Sequence, residues 1–415
     1  MKKGWEIKKL GEVCEVINGG TPKTGIQHYW NGEFLWITPA EMGGRKNPFI
    51  DSTLRKLSEA GLKNSSAKLL PPFSIILSTR APIGHIVINL KPMATNQGCR
   101  GLIPSSKLQF KYLYYFLYGN VSLLNSLGTG TTFKELSSLK LKEISIPLPP
   151  LTEQKRIVKI LDEAFEALNR AKENTEKNLQ NSRELFESYL NNIFANPGPD
   201  WEEKKLGEVC NFHRGLTYSK KDEVDYSSNI VLRANNIDLT TSSLTFTELK
   251  YIDQRIDIPS CKKVKKGSLL ICTASGSKSH LGKVALINAD YQYAFGGFMG
   301  QLTPQKSIDS KYFFYVLTSS EYKEFITRLS DGVNINNLRF DALSEFPIPL
   351  PPLPEQKSIV AKLDSLSEET KKLEAAYRQK LSEIEELKNS ILHKAFTENS
   401  QERRYENGYG INSSK

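Results

Sequence analysis

Two stretches of the chain carry a helical alternation of apolar and polar positions much longer than any other. Within 152–194 the series runs Phe165, Leu168, Lys172, Thr175, Leu179, Ser182, Phe186, Tyr189, Ile193. Within 354–396 it runs Leu366, Thr370, Leu373, Tyr377, Lys380, Ile384, Leu387, Ile391. Steps of three and four predict a coiled-coil seam with polar interruptions. Its apolar members are Phe165, Leu168, Leu179, Phe186 and Ile193 on one helix, and Leu366, Leu373, Tyr377, Ile384, Leu387 and Ile391 on the other. No Pro or Gly interrupts the first stretch before Pro197, or the second after Pro354 until Gly408. At about 1.5 Å per residue each helix spans about 64 Å, too long for an ordinary globular helix. Glu166/Arg170, Glu173/Lys177, Glu368/Lys372 and Glu374/Arg378 stand at i,i+4 in the favourable order; most such charges simply form a solvated face. A lone amphipathic helix of this length leaves its stripe in water. Two of equal length can bury both stripes as an antiparallel pair with a globular half at each end, and pairing with a partner's helices is the competing arrangement.

Each helix is preceded by the same proline-rich lead-in. Ile146-Pro-Leu-Pro-Pro-Leu-Thr-Glu-Gln-Lys155 returns as Ile348-Pro-Leu-Pro-Pro-Leu-Pro-Glu-Gln-Lys357. The prolines favour extended backbone. Thr152 and Pro354 fall where a first helical residue belongs, and Glu153 and Glu355 put negative charge at the positive helix end. A second motif also repeats: Trp5-Glu-Ile-Lys-Lys-Leu-Gly-Glu-Val-Cys14 and Trp201-Glu-Glu-Lys-Lys-Leu-Gly-Glu-Val-Cys210. A repeat of this size changes the whole fold expectation. The chain divides into a globular half (1–145), lead-in and helix (146–196), a second globular half (197–347), a second lead-in and helix (348–396), and a polar tail (397–415) expected to be disordered.

The globular halves read as mixed α/β. Strand-like runs are Leu35–Thr38, Phe73–Leu77, Ile86–Asn89, Ile230–Arg233, Ser268–Cys272 and Val284–Ile287, bounded by Gly, Pro and polar turns. The aromatic runs at 112–118 and 312–317 fit short buried helices. Composition adds limits. No apolar run approaches the length of a membrane span and no apolar leader follows Met1, so a soluble, cytoplasmic protein is expected. The five cysteines show no C-x-x-C spacing and read as small buried hydrophobes, and the five histidines are isolated, so no metal site is predicted. A formal charge of +10 points weakly to an anionic partner.

Catalytic signatures are missing: no phosphate-binding G-x-x-x-x-G-K-[ST] loop, G-x-S-x-G elbow, H-E-x-x-H helix or G-x-G-x-x-G fingerprint occurs. Pro199-Asp200 before Glu202-Glu-Lys204 resembles a nuclease pattern, but the acids are packed too tightly and the N-terminal copy lacks the Asp. What remains is polar loop chemistry suited to DNA. Arg and Lys pair with guanine, and Asn and Gln with adenine. Candidates in the first half are Arg80, Asn96, Gln97 and Arg100. In the second they are Arg214, Tyr218, Lys220, Arg233, Asn235, Asn236, Lys278, Ser279, His280, Asn334, Asn336 and Arg339. Phosphate contacts would set register without reading sequence, and the plainer reading of the Asn and Ser residues is that they close turns.

With the doubled P-L-P-P-L-x-E-Q-K lead-ins, paired helices and repeated W-x-x-K-K-L-G-E-V-C starts, the chain closely resembles the specificity subunit of type I restriction-modification systems over almost its whole length. The resemblance implies an α+β fold with two α/β target-recognition domains separated by two long antiparallel helices around an internal pseudo-two-fold. Each domain would read one half of a bipartite double-stranded DNA target. The helices would set half-site spacing and dock methyltransferase (modification) subunits, two of them, with restriction/translocase subunits joining the complex. No catalysis and no cofactor is implied for this chain, and S-adenosylmethionine, ATP and Mg²⁺ would belong to the partners. A stand-alone bipartite nuclease and a protein-only coiled-coil scaffold are the other classes. Turnover without partners would mark the first, and salt-sensitive DNA binding would speak against the second.

Overall fold

The computed structural model describes residues 4–45, 47–130, 134–331 and 337–397. Asn334, Asn336 and the tail from 398 onward lie outside the described residues. The chain forms two compact units, one of residues 1–175 with 379–415 and the other of residues 176–378. Each therefore contains one globular head, the start of the long helix that follows that head, and the end of the other long helix. The helices are continuous over Leu151–Ala195 and Leu353–Thr397, each starting one residue before the expected position.

In the first unit, the two repeated motifs turn out to be partners. The strand Glu6–Lys9 pairs antiparallel with the lead-in strand Ser145–Leu148, Glu6 opposite Leu148 and Lys9 opposite Ser145. A single turn, Leu10–Val13, follows. Its first amide, on Lys9, donates to the Glu12 carboxylate at 2.8 Å, and the Leu10 amide donates to the Ile144 carbonyl at 2.8 Å. Leu10, Val13 and Cys14 are buried in the head's core. Gly11 is required by close approach: a β-carbon there would stand 2.9 Å from Cβ of Lys142. The core sheet has the order Cys14–Asn18, Cys99–Pro104, Ile75–Thr79, Ile83–Asn89, Phe49–Ile50, and a smaller sheet is built on Trp30–Ile37 between Arg55–Leu57 and Met93–Thr95. The aromatic run is the helix Phe110–Gly119.

The glutamine of the lead-in motif fixes the head to its helix. Gln154 is fully buried. Its Oε1 accepts from the Gln109 amide at 2.9 Å, while Nε2 donates to the carbonyls of Lys107 (2.9 Å) and Pro149 (2.8 Å). About two turns on, Asp162 accepts from the Tyr115 hydroxyl at 2.7 Å and from Lys111 Nζ at 2.7 Å. Burial first, and this carboxylate second, push the Tyr115 hydroxyl far above its usual range. The end of the second long helix closes the same core: Phe396 packs edge-on against Tyr112 (5.1 Å between centroids) and Phe116 (5.5 Å), with Leu392 buried beside them. Lys388 Nζ stands 5.3 Å over the Phe165 ring, and Lys172 Nζ meets Glu385 at 2.9 Å. These segments thus run antiparallel.

The second unit repeats the plan residue by residue. Glu202–Lys205 pairs with Pro347–Leu350. Lys205 N–H donates to Glu208 at 2.8 Å, Leu206 N–H to the Phe346 carbonyl at 2.8 Å, and Gly207 admits Ser344 at 2.8 Å from a would-be β-carbon. Gln356 accepts from the Asp309 amide (2.8 Å) and donates to the Ser307 and Pro351 carbonyls (3.2 and 2.9 Å). Asp364 takes Tyr315 and Lys311, and Phe194 replaces Phe396 by packing on Tyr312 at 5.8 Å. The main sheet is Cys210–Arg214, Met299–Pro304, Leu269–Cys272, Val284–Leu286. On the paired helices, Arg183 Nε meets Glu374 at 3.2 Å.

One sequence expectation changes along the helices. Leu373 and Leu387 are 43 % and 50 % exposed, whereas Ile384 is buried and Phe165, Leu168, Leu179, Phe186, Ile193, Leu366, Tyr377 and Ile391 are partly buried. After the buried Thr370, the inward positions of the second helix are Glu374, Tyr377, Leu381, Ile384, Lys388 and Ile391. The steps of four and three begin one residue later than the leucines suggest. Long polar side chains account for the phase: the Lys388 ammonium lies over the Tyr118 and Phe165 rings and Glu374 is held by Arg183. Buried Thr175, Ser182 and Thr370 satisfy their hydroxyls on carbonyls of their own helices.

Candidate nucleic-acid interface

In each head the main sheet ends in a rim of loops, and most of the polar candidates collect there. In the first head, Asn18 lies opposite Arg100 and Ser78 opposite Cys99 at the sheet's end. The turn Asn96–Gly98 projects beyond them. It is held in place by the Thr79 amide donating to the Gly98 carbonyl (2.8 Å), and by Gly19 and Gly20 amides donating to Cys99 (3.2 Å) and Thr95 (2.8 Å) carbonyls. Gly19 is obligatory, because a β-carbon would stand 1.8 Å from the Asn96 carbonyl oxygen. Asn96 uses its side-chain oxygen on the Gly98 amide at 2.9 Å, a turn-closing role. Gln97 is exposed and accepts from the Thr21 hydroxyl. Arg80 is exposed at the start of the neighbouring loop, bridged through its backbone to Glu135.

Arg100 is not available to DNA. It is 9 % exposed, and its guanidinium donates to Ser138 (3.0 Å), to the Gln97 and Cys99 carbonyls (2.8 and 3.1 Å) and to Glu135 (3.1 Å). It stiffens the rim from beneath. The second head solves the same position differently. Gly300 stands where Arg100 does, and Arg214 where Asn18 does, by the matching strand registers. The arginine now comes from the neighbouring strand and lies exposed over the Phe340 ring at 5.3 Å. The missing side chain makes room for that ring, since a β-carbon on Gly300 would meet Phe340 Cζ at 2.7 Å.

The rest of the second rim is drawn together by backbone pairing. Leu216 bridges to Gly296, whose amide donates to the Leu232 carbonyl at 2.9 Å, so Tyr218 and Arg233 come beside the turn Gly296–Phe298. Arg233 is half-buried with Nε shut off from solvent and no acceptor among the described residues. Burial raises the Tyr218 hydroxyl above its ordinary pKa, with the Arg233 charge opposing. Asn236 is a structural residue: it is fully buried, accepts from the Arg233 amide at 2.8 Å and donates to the Thr245 carbonyl at 3.1 Å. Exposed Asn235 is tied to Glu248 at 3.0 Å, and Lys220 is exposed in the turn Lys220–Asp222. Lys278, Ser279 and His280 form one short turn beyond Cys272. Ser279 shares a hydrogen bond with Ser277 at 2.8 Å. Burial, then the Lys283 charge, lower the His280 pKa below its ordinary value. Arg339 is exposed and chelated by Asp341 at 3.1 and 2.5 Å.

The residues singled out from the sequence do not include Glu135, Ser138 and Phe340, which organise the rims, or Phe298, an aromatic at the tip of the second. Aligning the two halves strand by strand would have exposed each of these positions.

No helix among the described residues is long and apolar enough to cross a membrane. The family described as type I restriction modification DNA specificity domain matches twice, over residues 2–179 and 199–386. The MjaIX specificity subunit of Methanocaldococcus jannaschii is 26 % identical over 85 % of this chain and 84 % of its own length. The EcoR124I/EcoR124II specificity subunit of Escherichia coli is 31 % identical over 47 % of this chain and 49 % of its own. Among solved structures, one described under complex assembly and conformational transition of the type I R-M system shares the fold at a TM-score of 0.77 and 21 % identity, covering 95 % of this chain and 98 % of the other. The HsdS subunit from Thermoanaerobacter tengcongensis follows at 0.59 and 21 %, covering 95 % and 97 %. The chain belongs to the type I restriction-modification DNA specificity family, as a non-catalytic subunit that recognises a DNA target together with partner restriction-modification subunits.

Proposed function

We propose that each head reads one half of a bipartite DNA sequence through its rim, residues 1–145 serving one half and 197–347 the other. The two long helices set the number of unread base pairs between the halves and provide the docking site for modification subunits, two per specificity subunit, with restriction/translocase subunits completing the cytoplasmic complex. S-adenosylmethionine, ATP and Mg²⁺ are used by those partners. The observation that carries this reading is the contrast within the repeat. The clasp of Gln154, Tyr115 and Asp162 recurs atom for atom as Gln356, Tyr315 and Asp364, while the rims differ in charge, side-chain source and loop length. Two identical mounts carrying two different surfaces suit two different half-sequences. A stiff connection raises the effective concentration of the second half-site once the first is bound.

Replacing residues 1–145 by the matching segment of another specificity subunit, and sequencing the methylated sites in cells carrying the modification partners, tests this. One half of the methylated sequence should change, with the other half and the spacer kept. A change in both halves, or in neither, rejects the assignment.

A further inference from the structure

Phe298 is 74 % exposed on a turn that has no slack. Its carbonyl oxygen accepts from the Thr273 amide (2.9 Å), the Thr273 hydroxyl (2.9 Å) and the Ala274 amide (3.1 Å). On the other side of the turn, Gly215 and Leu216 amides donate to the Met299 and Phe295 carbonyls at 3.0 and 2.7 Å. Gly215 permits that approach, since a β-carbon would lie 1.9 Å from the Gly296 carbonyl oxygen. The same acceptor in the first head is Gly98, which takes the Thr79 amide at 2.8 Å and the Thr79 hydroxyl at 3.3 Å. The two turns are therefore equivalent, and they exchange glycine for side chain at successive positions: Gln97-Gly98 in one, Gly297-Phe298 in the other. Each presents one exposed side chain on a fixed backbone. A phenyl ring held in water by rigid backbone loses about 1.5–3 kcal/mol of available burial, so a partner surface is the simplest account of its placement. Exposed Arg214 and half-buried Tyr218 lie on the same rim, which suits a polyanion better than an apolar protein face.

We propose that Phe298 is a specificity-determining residue that lies against the 5-methyl group of a thymine in the major groove of the half-site read by the second head. The inference rests on the target-reading role proposed above for that rim. A phenyl ring has no donor or acceptor to offer, and the thymine methyl is the one apolar group on the major-groove edges. Gln97, at the equivalent turn, offers an amide suited instead to adenine.

The full chain, in complex with its modification subunits, is titrated at fixed salt against duplexes bearing its methylated target. Each thymine of the second-head half-site is replaced in turn by uracil, which lacks only the methyl. One replacement should weaken wild-type binding about fourfold, the equivalent of about 0.8 kcal/mol for one buried methyl. Phe298→Ala should bind the thymine duplex at least that much more weakly, should be indifferent to the same uracil, and should methylate with relaxed preference at that base pair only. Its unfolding transition should match wild type, because the ring is exposed. Specific binding with no uracil-sensitive position, a half-site without thymine, or equal uracil sensitivity in Phe298→Ala each overturns the methyl contact while leaving target reading intact. Equal losses for Phe298→Ala on thymine and uracil duplexes, with wild type blind to the methyl, would mark the ring as a wedge between base steps and equally overturn it. Binding without sequence preference would remove the target-reading role as well.

Discussion

Replacing Gln154 by methionine keeps the length and volume of the side chain but removes all three of its hydrogen bonds. The Gln109 amide loses its acceptor, and the carbonyls of Lys107 and Pro149 lose their donor, at a site with no solvent access. A typical intramolecular hydrogen bond contributes about 0.5–1.5 kcal/mol net, and a buried polar group left unsatisfied costs about 1–3 kcal/mol. The carbonyls have a second lone pair and relax more easily than the amide, so a total near 2–4 kcal/mol is expected. The substitution acts where the aromatic helix Phe110–Gly119 begins and where the long helix leaves its lead-in, so the loss should fall on the first unit. Urea unfolding followed by tryptophan fluorescence reports on it, since Trp5, Trp30 and Trp36 belong to that unit and only Trp201 to the other. The first-unit transition should shift to lower urea with the second unchanged, and the Gln109 amide should lose its protection from hydrogen exchange. Gln180→Met, on an exposed helix face, is the control and should cost under about 0.5 kcal/mol. A Gln154→Met protein within that margin would refute the claim that this glutamine clasps head to helix.

Two further substitutional and chemical tests address the rims and the cores. Gly300→Ala drives a β-carbon into the Phe340 ring and should destabilise the second unit by about 1–3 kcal/mol. Adding Phe340→Ser, the residue type that the first head carries as Ser138, should return most of that loss in a double-mutant cycle, and strict additivity would break the argument. Burial pushes the thiols of Cys14, Cys99 and Cys210 up to about 12 and that of Cys272 to about 11, whereas Cys261 is exposed. A thiol-specific reagent at pH 8 should therefore label one cysteine per native chain and five in denaturant. Rapid labelling of a second cysteine in the native protein would contradict the packing of these cores.

The duplicated plan was legible because it is written in backbone-controlling residues. Prolines, the capping glutamates Glu12 and Glu208, and the close-approach glycines Gly11 and Gly207 act through local geometry, which sequence spacing preserves. The seam of the second helix was misphased at Leu373 and Leu387 because apolarity was weighed and reach was not. Half-buried Lys388 reaches its ammonium over the Tyr118 and Phe165 rings, and nothing in a hydrophobic pattern announces that. On the rims the difficulty was chemical ambiguity. Arg100 and Arg233 are the same residue type beside strand ends, yet one is fully committed to Ser138, Glu135 and two carbonyls while the other keeps a buried nitrogen without an acceptor. Arg100 turns inward onto Ser138, whereas Arg214 beside Gly300 lies exposed over Phe340, and these partners are distant in sequence.

The first unit is made of two pieces of chain separated by the whole of the second. Its core waits for Leu392 and Phe396, which are synthesised only after the whole of the second unit, whereas residues 176–378 are contiguous and can finish beforehand. The half synthesised earliest is thus sealed latest. A chain cut short before residue 391 would leave Tyr112, Phe116 and their neighbours uncovered, a sticky face that quality-control proteases recognise. Any product escaping the ribosome with only one working head would in this way be marked for removal.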